Sequence, residues 1–254
     1  MRTASISRRI FACSLFSICL CAYGAGEQDL YDKAVSNPAR PASDRQRDAL
    51  DRPADLLRLA GIKPGMQVAD LMAAEGYYTE LLSHIVGTKG HVLMLNNSAY
   101  DAWSPNWPKR IAGNRLPNVE HRTVDLDHME LAAGSLDAVL MIKIYHDLYW
   151  VDPKGEWPKV DVPAVLDQLA RALKPGAVLL VVDHSAKAGT GNADASRLHR
   201  IEEAFAKKDI ESHGFELVAH SDVLRKPEDK RELLSYEGPG LNHTDRFALV
   251  FRRR

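Results

Sequence analysis

Short apolar runs alternate with polar and amphipathic stretches along most of this chain. Apolar runs of strand length, separated by turns with Gly, Pro and Asn, predict strands at 66–71, 91–95, 119–124, 136–145 and 177–182. Helices are predicted at 77–86, 162–173 and 195–212, and a terminal pair of strands at 215–221 and 247–251. This alternation, with a strand at 138–142 that is apolar on both faces, indicates an α/β fold. We therefore predict a mostly parallel sheet with helices on both faces.

The segment before the first strand is predicted to be helical but less regular. Residues 27–35 suggest a short helix, and Ser43 with Gln46 is an N-cap signature for a polar helix that is re-nucleated at Pro53. This extension, residues 27–60, either covers a cofactor pocket or packs across an edge of the sheet.

The first 26 residues have a different composition from the rest. Arg8 and Arg9 precede an uncharged, mostly apolar run at 10–22, and small residues follow that run. This pattern is typical of a cleaved secretory signal peptide, with an uncleaved N-terminal anchor as the alternative. The arginine pair, with the Ile and Phe after it, also resembles a twin-arginine export signal. We expect a signal peptide at 1–26, one domain at 27–254, a periplasmic or secreted location, and no stable membrane insertion after cleavage.

Cysteine content and charge exclude several kinds of site. All three cysteines, Cys13, Cys19 and Cys21, lie in the predicted signal peptide, so the mature chain would have no disulfide, thiolate metal site or cysteine nucleophile. Without the three arginines of that segment, the 33 basic residues become 30 against 34 acidic ones, a net charge of −4. That balance provides no electrostatic footprint for nucleic acid, so a small-molecule substrate is the expected partner.

The junction after the first predicted strand carries candidate binding chemistry. An acidic residue, Asp70, lies near the end of the strand, and Gly76 immediately precedes the first residue of the helix. At such junctions in α/β proteins, backbone N–H groups of the helix N-terminus face a nucleotide-like ligand.

Further motifs follow this junction in a characteristic order. They are Asp125, twelve residues before Asp137 of the fourth strand, and the turn Lys174-Pro175-Gly176 before the fifth strand. Together with residues 70–76, these motifs make the chain resemble the class I S-adenosylmethionine-dependent methyltransferases from about residue 62 onward. More narrowly, the chain is similar to a group of bacterial, often exported, predicted methyltransferases with Tyr-His-Asp after strand four, here at 145–147.

The resemblance implies a fold, a cofactor and a set of binding residues. The fold is a Rossmann-like, doubly wound, seven-stranded sheet with an antiparallel C-terminal strand, and the cofactor is S-adenosyl-L-methionine. The cofactor-binding residues that it implies are Asp70, Met72, Ala74, Glu75, Gly76, Tyr77, Tyr78, Asn96 and Asp125. Asp70 would face the cationic methionine portion. Asp125 would accept a hydrogen bond from the adenine amino group, with a helix N-cap as its alternative role.

The chain departs from the family pattern at two places. Met72 and Ala74 occupy glycine positions, so Ala74 is tolerable if its φ is negative, and Met72 would have to point away from the ligand. Asn96 and Asn97 end the second strand, where the family has an acid for the ribose diol. A neutral amide makes a weaker contact, so reduced cofactor affinity is expected.

The loop after the fourth strand carries the candidate catalytic residues. His146 has a suitable ordinary pKa for a base, Asp147 or Asp183 would orient it, and Tyr145 would position a substrate group. The alternative for His146 is a structural hydrogen bond between loops. His184 and His146 with two carboxylates would also suit a metal, but their spacing fits no compact metal motif, so no metal site is predicted.

Aromatic residues are concentrated in two loops, which are predicted to be irregular. They are Trp103, Trp107, Tyr149, Trp150 and Trp157. These side chains either form an apolar acceptor pocket or pack the loops against the sheet.

Two functional hypotheses of different classes follow from these patterns. The first is an exported S-adenosylmethionine-dependent methyltransferase that acts on a small or exposed acceptor. The second is a catalytically degenerate ligand-binding protein on the same fold, because glycines and the ribose acid are missing. A serine hydrolase is not supported, since the chain has no Gly-x-Ser-x-Gly motif.

Overall fold

The computed structural model describes residues 25–254. The predicted signal peptide, with Arg8 and Arg9, lies outside the described residues except for its last two, which begin the first helix. Within residues 25–254, no helix is both long and apolar enough to span a bilayer.

A single seven-stranded sheet organises the described residues, in the order β3-β2-β1-β4-β5-β7-β6. Its strands are β1 Gln67–Leu71, β2 His91–Asn96, β3 Val119–Thr123, β4 Leu136–Ile142, β5 Leu173–His184, β6 Phe215–Ser221 and β7 Arg246–Arg253. Strands β1 to β5 pair in parallel, and β7 is antiparallel to both β5 and β6. The predicted doubly wound sheet with one antiparallel C-terminal strand is confirmed.

Nine helices pack around this sheet in the described part of the chain. They are α1 Ala25–Val35, α2 Ala42–Asp51, α3 Pro53–Leu59, α4 Tyr77–Val86, α5 Ser98–Trp103, α6 Trp107–Ile111, α7 Val162–Ala172, α8 Ala195–Leu198 and α9 Glu203–Ser212. Short 3₁₀ turns lie at Gly87–Lys89, Ala112–Asn114, His146–Tyr149 and Gly238–Gly240.

The hydrophobic core forms two layers, one on each face of the sheet. Val68 and Leu140 belong to the layer under α1, α3 and α4, whereas Ala69 and Val139 belong to the layer under α7 and α9. Successive strand residues point to opposite faces, so the continuous apolar runs of β1 and β4 supply both layers.

Several predicted elements differ from the structure. The fourth strand ends at Ile142 rather than at residue 145, and the predicted turn 174–176 lies within β5. The stretch after β2 is not irregular, because Asn97 caps α5 with its side chain and α6 follows. The predicted helix 195–212 is two helices, since His199 has a left-handed backbone with φ 48°. The helix at Ser43 begins one residue earlier, at Ala42, and Pro41 rather than Ser43 is its N-cap residue.

Candidate active site

The turn that follows β1 has left-handed backbone at every position where the family pattern has glycine. The φ angles are 55° at Met72, 53° at Ala74 and 79° at Gly76. The condition under which Ala74 would be tolerated, a negative φ, is therefore not met. Residues with a Cβ are disfavoured in this conformation by about 1–2 kcal/mol each, so the turn keeps the glycine geometry at a cost in stability.

Met72 packs mainly into the core, in the layer that also contains Leu95 and Ala99. Only 3 % of its surface is exposed, although the residue also contributes to the wall of a cavity. Gly76 does not open space for a ligand, since a Cβ there would lie 3.1 Å from Met94 and 3.2 Å from Arg110.

A cavity of about 310 Å³ lies beside this turn, at the carboxyl end of β1. Its wall includes most of the predicted cofactor residues: Asp70, Met72, Ala74, Glu75, Tyr77 and Tyr78. Three basic side chains, Arg47, Arg110 and Lys143, also line it. The cavity therefore combines a buried carboxylate with basic side chains that are already paired with acids, Arg47 and Lys143 with Asp51 and Arg110 with Asp44 and Glu80.

Asp70 is the buried acid of this cavity. Burial raises the pKa of its carboxyl to about 7, and the hydroxyl of Thr79, which donates to Oδ2 at 2.6 Å, limits the rise. A cation bound beside Asp70 would favour the ionised carboxylate, because opposite charges attract strongly in a buried site.

The N-terminal extension covers this cavity. Tyr77 donates its hydroxyl to Asp48 of α2 at 2.5 Å, and the guanidinium of Arg47 lies 3.9 Å from the centre of the Tyr77 ring. The hydroxyl of Tyr78 donates to the carbonyl of Asp51 at 3.5 Å. Both tyrosines predicted to face the cofactor thus tie α2 to the start of α4.

The two residues predicted to contact adenosine are engaged elsewhere. Asn96 is fully buried, accepts the N–H of Ala74 at 2.9 Å and donates to the carbonyl of Ala74 at 3.0 Å and to Asp101 at 2.9 Å. Asp125 is exposed and accepts the N–H of Asp127 at 3.0 Å. It lines neither this cavity nor a second one at the ends of β4 and β5. Asn97 is different, because its side-chain N–H₂ is buried with no hydrogen-bond partner.

A second cavity of about 550 Å³ lies at the ends of β4 and β5. Ala74, Tyr100 and Lys143 line both cavities, so the two share a wall. The second cavity is bounded by His146, Asp147, Trp103, Trp150, His184, His199, Tyr236 and Arg246, among other residues.

His146 lies between two carboxylates in the larger cavity. Its Nδ1 is 2.7 Å from Asp183 Oδ1, its backbone N–H donates to Asp183 Oδ2 at 2.8 Å, and its Nε2 is 3.1 Å from Asp147 Oδ1. Burial alone would lower the pKa of His146, but Asp147 and Asp183 outweigh it and raise that pKa to about 10. The imidazole is then protonated at neutral pH, whereas a general base must be neutral. The predicted orienting role of Asp147 and Asp183 agrees with this geometry.

Tyr145 does not face this cavity. Its side chain is fully buried in the core, and its hydroxyl donates to Asp209 of α9, as does that of Tyr149. The prediction that Tyr145 positions a substrate is therefore contradicted by its contacts, which hold α9 against the loop after β4.

Two residues that sequence reasoning missed line the larger cavity. His199, at the end of α8, places Nδ1 3.3 Å from Asp147 Oδ1. Lys143 follows β4 with φ 61°, and burial lowers its pKa to about 8 although Asp51, 3.5 Å away, opposes the shift. A lysine directly after an apolar strand was a usable signal, but nothing in the spacing links His199 to His146.

The aromatic residues of the two loops have divided roles. Trp103 and Trp150 line the larger cavity, with ring centres 6.0 Å apart. Trp157 is buried and stacks on Trp103 at 5.9 Å, and Trp107 stacks on His121 at 3.5 Å, outside both cavities. Two of these aromatic side chains therefore line a cavity, whereas Trp107 and Trp157 pack against neighbouring rings.

The chain matches no protein-family model and no curated protein sequence. Its fold is nevertheless similar to solved structures. A SAM-dependent methyltransferase from Aquifex aeolicus superposes with a TM-score of 0.59 at 20% identity, covering 85% of this chain and 99% of that one. A Burkholderia thailandensis 1,6-didemethyltoxoflavin N1-methyltransferase with bound S-adenosylhomocysteine gives a TM-score of 0.54 at 14% identity, covering 84% and 81%.

The [4+2]-cyclase SpnF is also similar, with a TM-score of 0.57 at 14% identity over 86% of this chain and 84% of that one. A shared fold therefore does not by itself determine the reaction. The strand order, the antiparallel β7 and these superpositions show that the chain has the fold of the class I S-adenosylmethionine-dependent methyltransferases.

Proposed function

We propose that this protein is an S-adenosylmethionine-dependent methyltransferase that acts on a small or exposed acceptor. The observation that supports this most directly is the pair of cavities with a common wall at the carboxyl ends of β1, β4 and β5. The smaller cavity has the charges for the cofactor, and the larger one has room for an acceptor. The proposed cofactor supplies an activated methyl group, so the chain's main task is to align an acceptor with it.

The residues present fit the methionine end of the cofactor. Asp70 is placed to bind its ammonium group, and Arg47 or Lys143 its carboxylate, since all three line the smaller cavity. The fit to adenosine is weaker, because Asn96 is needed to hold the turn after β1.

The larger cavity would hold the acceptor. Trp103 and Trp150 provide apolar surface that excludes water, and His146 with Asp147 provides charge for orienting a polar group. Lys143 borders both cavities and is partly neutral near pH 8, so it is placed to accept a proton from an acceptor during transfer. The role of His146 as the base stays a prediction.

Binding measured by calorimetry tests this proposal. The wild-type protein should bind both S-adenosylmethionine and S-adenosylhomocysteine. Asp70→Asn should weaken both about 10- to 100-fold, as expected for the loss of a charged hydrogen bond. Asp222→Asn is the matched control, because the Asp222 side chain is 74% exposed. This variant should bind both ligands with the affinity of wild type. Absence of binding by the wild type at millimolar ligand would refute the function.

The exported location is also a proposal, supported by the composition of residues 1–26. If the twin-arginine route is used, replacing Arg8 and Arg9 by lysine should stop export of a tagged chain. Unchanged export of that variant would contradict the route.

A further inference from the structure

Three metal-ligating side chains meet at the wall of the larger cavity. One ligand atom from each of His146, Asp147 and His199 lies within 4.8 Å of the other two. We infer that these side chains bind one divalent transition-metal ion of the Zn²⁺ or Fe²⁺ class. This site does not depend on cofactor binding, so it stands or falls separately from the proposed methyl transfer.

The distances already approach those of a ligand shell. Asp147 Oδ1 is 3.1 Å from His146 Nε2 and 3.3 Å from His199 Nδ1. Bonds of about 2.0–2.1 Å to zinc place two ligand atoms of a tetrahedral site about 3.3 Å apart. Two of the three donor pairs thus have the required separation, and the two imidazole donors lie within 4.8 Å of each other.

Neighbouring groups hold the first two ligands in the required orientation. Asp183 Oδ1 binds Nδ1 of His146 at 2.7 Å, which leaves Nε2 directed at Asp147. The hydroxyl of Tyr100 donates to Asp147 Oδ2 at 2.6 Å, which leaves Oδ1 for the two histidines. Carboxylate partners of this kind orient histidine ligands and make them more basic in metal sites.

The fold brings the third ligand from a distant part of the chain. His146 and Asp147 lie on the 3₁₀ turn after β4, whereas His199 ends α8 with a left-handed backbone, φ 48°. That conformation interrupts what the sequence predicts as one continuous helix. The ring of His199 packs edge-on against Tyr236 at 4.6 Å, on the cavity wall.

The donor set is chemically specific. Two imidazoles and one carboxylate suit zinc and non-haem Fe²⁺, and three protein ligands leave positions open toward a cavity. His184, the partner considered from the sequence, is not part of this cluster; its ring centre lies 6.0 Å from that of His146, and its Nδ1 is 2.8 Å from the hydroxyl of Thr244. The metal site is therefore built on His199 instead.

Metal binding by the purified protein tests the inference. The protein is stripped with a chelator, dialysed against Zn²⁺ or, without oxygen, Fe²⁺, and its metal content is measured by mass spectrometry. Calorimetry gives the affinity, and the visible absorption of a Co²⁺ derivative reports the coordination. Variants His199→Ala, Asp183→Asn and His213→Ala are compared, with circular dichroism as the check on folding. His213 is the matched control, because its Nδ1 also lies 2.7 Å from a carboxylate, that of Asp167, away from the cavity.

We expect one Zn²⁺ or Fe²⁺ ion per chain in the wild type and in His213→Ala. His199→Ala should lose at least about 100-fold in affinity, and Asp183→Asn about 10- to 100-fold. The inference is overturned if the wild type binds neither ion stoichiometrically, or if folded His199→Ala binds as tightly as wild type. Should His199→Ala fail to fold, a metal affinity unchanged by Asp183→Asn would overturn it instead.

Discussion

Asp70 should make the stability of this protein fall as pH rises. Its carboxyl is 3% exposed, and burial raises its pKa from the ordinary 3.8 to about 7, with the Thr79 hydroxyl as the opposing influence. A group whose pKa is higher in the folded state binds its proton more tightly there. Its stabilising contribution is complete below pH of about 4 and is lost as pH rises through about 7.

The size of the effect follows from the two pKa values. One pH unit between them corresponds to about 1.4 kcal/mol. Between about pH 5 and about pH 8, Asp70 should therefore remove about 2.5 kcal/mol from the free energy of unfolding. Asp70→Asn abolishes this contribution, because the neutral amide resembles the protonated acid and its oxygen still accepts the Thr79 hydroxyl.

Urea unfolding of wild type and Asp70→Asn over this pH range, without cofactor, measures the effect. The variant should match wild type only below about pH 4, and its advantage should grow by about 2.5 kcal/mol between about pH 5 and about pH 8. Taking the difference between the two proteins removes the contribution of every other titrating group. Asp222→Asn, at an exposed position, should show no such divergence. A pH-independent difference between wild type and Asp70→Asn would refute the reasoning.

Three further substitutions, the first with a control variant, test the turn after β1 and the loop after β4. Ala74→Gly should raise the free energy of unfolding by about 1 kcal/mol, since it removes a Cβ from a left-handed residue. Ala73→Gly, the control at a position without positive φ, should lower it. A loss of stability in both variants on urea unfolding would contradict this. Asn96→Asp should cost about 2 kcal/mol by the same assay, because the buried N–H₂ that donates to the Ala74 carbonyl becomes an acceptor; a gain in both stability and cofactor affinity would show that a ribose acid had been restored. Tyr145→Phe should cost about 1 kcal/mol through the lost bond to Asp209 and leave cofactor affinity unchanged in calorimetry; weaker binding by the folded variant would return Tyr145 to the site.

The strands and the acid at the end of β1 could be predicted because their signals are local. Buried parallel strands produce continuous apolar runs, and the run at 138–142 lies wholly within β4. Asp70, which interrupts an apolar strand, indicated a buried charge and lines the smaller cavity.

The remaining site residues depend on contacts between distant segments. The sequence shows that Asn96 replaces an acid, but not that both ends of its amide bind the backbone of Ala74. The break at His199 is also hidden, because 195–212 has helical composition throughout and the left-handed residue is set by tertiary packing. For the same reason, Tyr145 next to His146 was expected at the site although the two side chains point to different surroundings.

A crystal structure of the protein with S-adenosylhomocysteine at millimolar concentration tests the central claim most directly. The account predicts the amino-acid end of the ligand in the smaller cavity, with its ammonium group within hydrogen-bond distance of Asp70 and its sulfur directed toward the wall shared with the larger cavity at Lys143. A ligand bound elsewhere, or no ligand in the smaller cavity at that concentration, would contradict the account.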